Sequence, residues 1–246
     1  PKLTLFYYTR PARGFQPVGR WETKYILRED AQIKYNTDKM KSCHALVIAI
    51  TRAEGVRFMK RISLADGAMG TMLQTMGLKP GESPDSWAIK NPEPILTVHR
   101  GYVEAGAEML TACTFGANRI KLSHYGLSSE VFALNHAAVK LARQAGGANV
   151  RVGGNLGPTG KLIRPLGELS FDEVFDVYAE QVQALTEAGV DYFIIQTMID
   201  IQEMRAALLA AKQYGRVPVV CQMTFEASGR TVTGTDPTTA AITLEA

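Results

Sequence analysis

The chain has 246 residues, 46% hydrophobic and 21% charged, which is the make-up of a globular protein with enough apolar material for a sizeable core. Its net charge of +3 gives no ground for nucleic-acid binding, and no uninterrupted apolar run approaches the roughly 18 residues a membrane helix needs. Charge is unevenly spread, however: residues 1–60 carry a net +7 and residues 61–246 a net −4, so a basic leader precedes a mildly acidic body.

The leader, residues 1–58, mixes aromatics, Arg, Gly and Pro without a period, and only "ALVIAI" (45–50) reads as a strand. It is left as an unassigned extension, and Met59 makes a natural start for the body. Because the chain begins at Pro1, it reads as a fragment or processed product. The three cysteines, Cys43, Cys113 and Cys221, are widely spaced, with no CxxC or Cys/His ligand pattern. They suit a reducing, cytoplasmic setting.

From residue 59 the rhythm is regular. "ISLA" (62–65) is a short strand that ends at Asp66. A helix over 91–106 has Pro92 and Pro94 near its first turn, where a missing N–H costs little. Strand 108–115 and helix 129–146 follow, then strand 150–155 and helix 170–190, in which Ser170 and Glu173 have capping-box spacing. Strand 191–197, helix 200–215, strand 217–225 and a helix from 236 complete the chain. Mostly apolar strands alternating with helices predict a parallel sheet covered by helices. A doubly wound sheet and a (β/α)8 barrel both satisfy that pattern. "GGNLGPTG" (153–160) is neither a GxGxxG fingerprint nor a P-loop. The polar and Gly-rich stretches "DGAMGT", "CTFGANR", "GNLGPTG", "QTMID" and "TFEASGRTVTGTDP" each follow a strand, which favours a TIM barrel with its site at the strands' carboxyl ends. Only about the first five β/α units are present.

Five stretches carry a family resemblance: "LADGAMGTMLQ" (64–74), "NPEPILTVHRGYVEAGAEMLTACTFGANRIKLSHYGL" (91–127), "GGNLGPTGKLIRPLGELSFDEV" (153–174), "EAGVDYFIIQTMIDIQEMRAALLA" (187–210) and "MTFEASGRTVTGTDP" (223–237). In order and spacing they resemble the homocysteine S-methyltransferase family, above all the homocysteine-binding barrel of cobalamin-dependent methionine synthase, over residues 59–246. The resemblance implies a methyltransferase in which zinc holds the homocysteine thiolate for attack on a methyl donor; methylcobalamin, betaine and S-methylmethionine all serve the family. The implied partners are homocysteine and a methyl donor or cobalamin-binding module, with no nucleic acid or membrane.

Carried onto this chain, the resemblance implies that Asp66, beside Gly67, accepts hydrogen bonds from the homocysteine ammonium. Thr114 and Phe115 would line the pocket. Gln196, where many relatives have Glu, would give a weaker second contact. Gly157, Pro158 and Gly160 make a rigid turn, Cys113 is a small buried hydrophobe, and Glu203 is a surface charge. His44, His99, His124 and His136 are structural or solvent-facing. The family's zinc ligands are three cysteines, one in an Asn-Cys context after the sixth strand and two in a Gly-Gly-Cys-Cys context after the eighth. None of Cys43, Cys113 or Cys221 matches. The chain is therefore expected to bind no zinc at that site and to be inactive as a fragment, with no catalytic residue assigned. Two alternatives stay open: another TIM-barrel enzyme, such as a lyase with a phosphate site, and a non-catalytic fragment.

Overall fold

The computed structural model describes residues 63–245, together with the backbone of two strands, β1 (Leu3–Tyr8) and β2 (Ala45–Ile50). The expected boundary at residue 58, with Met59, Cys43 and His44, lies outside the described residues.

Four parallel strands form the centre of the sheet: β3 (Met109–Thr111), β4 (Arg151–Leu156), β5 (Tyr192–Met198) and β6 (Val219–Thr224). Of the expected first strand, 62–65, the described residues contribute one bridging residue, Ala65, paired in parallel with Met109. Beyond β6 the sheet continues as β2 and then β1, both pairings antiparallel, giving the order β1-β2-β6-β5-β4-β3. The apolar run 45–50 is thus a strand, but its pairing with residues far along the chain, as in Ala45 with Thr224, leaves no local signal in the sequence.

The helices follow from apolar periodicity and from their ends. Pro92 opens α3 (Pro92–Glu104) after the short α1 (Gly70–Thr75) and α2 (Trp87–Lys90). Next come α4 (Arg119–Ser123), whose cap Asn118 accepts the Lys121 N–H, and α5 (Val131–Gly146). At α6 (Phe171–Glu187) the expected capping box is present: the Ser170 hydroxyl accepts the Glu173 N–H at 3.2 Å, and Glu173 accepts the Ser170 N–H at 2.7 Å. Helices α7 (Ile201–Tyr214) and α8 (Pro237–Glu245) complete the set. Neighbouring helices α3, α5, α6 and α7 pack in succession along one face of the sheet. Alternate strand residues meet them: Phe193, Ile195, Val219, Cys221 and Met223 enter the main core. The intervening residues point to the opposite face, where Met109, Tyr192 and Val220 cluster against Ile194. Among the described residues no helix is long and apolar enough to cross a membrane.

Candidate functional site

A cavity of about 590 Å³ opens at the carboxyl ends of the parallel strands. Strand alternation supplies its floor: Thr111 from β3, Asn155 from β4, Ile194 and Gln196 from β5 and Gln222 from β6 all line it. Its walls come from the loop after Ala65, the segment at Pro84–Asp85 and the Cys113–Gly116 turn, with Lys121 and Tyr125 beside them. Ligands of parallel α/β sheets bind at this end, outside the carboxyl termini of the strands.

Asp66 is fixed from two sides. Its backbone N–H donates to the Met109 carbonyl at 2.9 Å, continuing the bridge begun at Ala65. Its carboxylate accepts the Thr111 N–H at 2.7 Å and the Thr111 hydroxyl at 2.9 Å. Burial pushes the Asp66 carboxyl up to about 6, against the lowering pull of those two bonds. The residues after it must pass close to Tyr102 of α3, whose hydroxyl donates to the Ala68 carbonyl at 2.9 Å. A Cβ on Gly67 would stand 2.9 Å from that hydroxyl, so glycine is what the close approach requires.

The other expected site residues divide. Phe115 and Gln196 line the same cavity as Asp66 and Gly67. Thr114 is fully buried; its hydroxyl donates to the Asn155 carbonyl at 2.9 Å and accepts the Asn155 N–H at 3.0 Å, tying the turn after β3 to β4. Gln196 donates from Nε2 to Asn155 Oδ1 at 2.8 Å, which leaves its carbonyl oxygen as acceptor. It lies within a bulge of β5, where the register with β6 shifts between Ile195 and Met198 and Thr197 takes φ 63°. A non-glycine residue held there costs of order 1–3 kcal/mol, and such strain gathers at functional sites.

Gly157 packs against the Phe115 turn: its N–H donates to the Phe115 carbonyl at 3.1 Å, and a Cβ there would stand 2.5 Å from that oxygen. Cys113 is buried as expected, its thiol pushed well up by burial and by the nearby Asp85 charge. His99 is buried, whereas His124 and His136 are exposed.

The expectation for Glu203 is corrected. It is only 2% exposed, and its Oε1 accepts the Thr159 N–H at 2.7 Å and the Thr159 hydroxyl at 2.6 Å. The Tyr178 hydroxyl lies 3.1 Å from the same oxygen and 3.0 Å from the Gly157 carbonyl. Glu203 therefore ties the Gly157–Gly160 turn to α6 and α7, and burial raises its pKa. Sequence reasoning missed several lining residues, among them Thr111, Asn155, Gln222 and the charged pair Asp85 and Lys121. Asp85 sits in a polar stretch with no period to mark it as buried.

A mixed sheet with a cavity at the carboxyl ends of its parallel strands, mostly apolar but holding a few placed polar groups, defines an α/β protein of the ligand-binding or enzymatic kind. The particular family follows from comparison. The family model for homocysteine S-methyltransferase matches residues 63–246, and the chain belongs to that family. Solved relatives include homocysteine methyltransferase MmuM from Escherichia coli. Its metallated form is 25% identical, with a TM-score of 0.65 over 76% of this chain and 71% of that one. The oxidised form is 28% identical (TM-score 0.58; 65% and 61% covered), and the apo form is 25% identical (TM-score 0.59; 76% and 68% covered).

Proposed function

We propose that the cavity is the homocysteine site of a homocysteine S-methyltransferase, and that the sheet from Ala65 to β6 is an arc of a (β/α)8 barrel. The observation that carries this reading is Asp66: a carboxylate anchored on Thr111 at the wall of a cavity that Gly67, Phe115 and Gln196 also line. An ammonium there gains a charge-assisted hydrogen bond in a partly dry setting. The Gln196 carbonyl oxygen, oriented by the Asn155 contact, adds a neutral acceptor. Phe115 and Ile194 offer apolar surface to the ligand's methylene carbons.

Zinc does not fit the described residues. Among them no three His, Cys, Asp or Glu side chains gather to hold a metal. The described cysteines favour the protonated thiol, Cys113 pushed well up and Cys221 to about 12 by burial. No thiol-activating step is therefore assigned to the described cysteines; what the cavity residues Asp66 and Gln196 contribute is binding and orientation of the amino-acid end.

Calorimetric titration with L-homocysteine tests the reading. The parent chain is expected to bind, and Asp66→Asn, which keeps an acceptor but removes the charge, to bind about tenfold more weakly, equivalent to about 1.4 kcal/mol. Equal affinity in the parent and the variant would overturn the assignment of Asp66, and no binding by the parent would overturn the substrate.

A further inference from the structure

Asp85 is only 5% exposed and lines the cavity. Its Oδ1 accepts the Gly116 N–H at 3.1 Å, across 31 residues of sequence. Gly116 directly follows Phe115, another lining residue, and a Cβ on it would stand 2.7 Å from Asp85 Oδ2. The carboxylate thus occupies the space a side chain at 116 would need. The remaining bonds around Asp85 are local: Ser83 Oγ lies 3.5 Å from Oδ2, and the Asp85 carbonyl accepts the Ala88 N–H as α2 begins. Lys121 supplies a favourable positive charge from α4.

Burying a carboxylate carries a desolvation cost that an apolar side chain would avoid. What this one gains is a specific long-range bond to the turn that shapes the cavity. We propose that Asp85 is a positioning residue for the homocysteine site, holding the Phe115–Gly116 turn in place as a wall of the cavity. This rests on the reading of the cavity as that site. Asp85 acts through the turn and is assigned no contact with the reacting atoms. The important property is an acceptor oxygen at that point, with the charge secondary.

The test uses the whole chain and two readouts: exchange of the Gly116 amide by NMR and homocysteine affinity by calorimetry, with urea unfolding to confirm the fold. Asp85→Ala is expected to speed Gly116 exchange and weaken homocysteine binding, each by about tenfold. Asp85→Asn retains a carbonyl oxygen for the same N–H and is expected to bring both back to within about threefold of the parent. A purely structural role would not give this rescue of affinity at matched stability. Should Asp85→Ala fail to fold, Gly116→Ala presses on the carboxylate from the other side and is expected to weaken binding by a similar factor. The proposal is overturned if folded Asp85→Ala leaves both readouts unchanged, if Asp85→Asn loses as much as Asp85→Ala, or if Gly116→Ala binds like the parent. If the parent does not bind homocysteine, the substrate reading fails by itself, while Gly116 exchange still decides whether Asp85 holds the wall.

Discussion

Gln196 lines the cavity with an amide, which on the proposed reading faces the ammonium of homocysteine. Nε2 is committed to Asn155 Oδ1, so the carbonyl oxygen is the group left to accept from an ammonium. A neutral acceptor gives roughly half the strength of a charged one. Gln196→Glu replaces the donor by a second acceptor, which obliges Asn155 to turn its own amide donor toward it. The variant is expected to bind homocysteine about three- to tenfold more tightly at pH 8, and to lose about 1 kcal/mol of stability from the added half-buried charge. Calorimetry and urea unfolding on the same sample read both. Unchanged or weaker affinity in a folded Gln196→Glu protein would mean that residue 196 does not face the ammonium. The strained Thr197 beside it argues that the backbone here is shaped to aim residue 196, since a regular β5 would spare that cost.

At the scale of elements, the loops that build the site are held by polar bonds to helices, and Glu203 of α7 is the strongest example. Three contacts converge on one buried oxygen, from the Thr159 amide, the Thr159 hydroxyl and the Tyr178 hydroxyl. Removing the acceptor leaves buried donors unpaired, so Glu203→Ala is expected to cost roughly 2–4 kcal/mol, read as a lower urea midpoint, and Glu203→Gln distinctly less. A loss under 1 kcal/mol for the alanine variant would show that the Thr159 turn has other support. This residue also shows where the sequence was readable and where it was misread. Glu203, Ala207 and Ala211 share one helix face at i, i+4 spacing, and Ala206 and Ala210 flank it. An acid on an alanine face is turned inward, a signal that outweighs the usual exposure of a lone Glu. The capping box at Ser170 and the ends of α3, α5 and α6 were legible because they depend on neighbours within four residues. The short helices α1, α2 and α4 were not, because six residues or fewer carry too little periodicity. Asp66, Gly67, Phe115 and Gln196 could be placed in one cavity from the order of motifs. Asp85 could not, because its partner Gly116 is named by tertiary packing and by no local pattern.

For the molecule as a whole, buried titratable groups shape how stability responds to acid, and two opposing sets are present among the described residues. Asp66 and Asp85 are raised from 3.8 to about 6 by burial, so each contributes stability fully present below pH 3.8 and lost as pH rises through 6. His99, on the buried face of α3, is lowered from 6.5 to about 4, again by burial, and neither ring nitrogen has a hydrogen-bond partner among the described residues. Its contribution runs the other way: it is complete above pH 6.5 and is lost as pH falls through 4, because the unfolded chain takes up the proton first. Between pH 4 and 6 the carboxylates gain what the histidine loses, and the parent's stability should vary less than either set alone would dictate. His99→Leu removes one side of that balance and keeps an apolar group in the core. The stability of the variant relative to the parent is expected to rise by roughly 3 kcal/mol between pH 7 and pH 4, the size set by a shift of that extent in a fully buried group. Urea unfolding of both proteins at half-unit pH steps measures the difference directly. A gap that stays constant across that range would show that His99 takes up its proton equally in the folded and unfolded chain, and that the acid response must then be ascribed to the carboxylates.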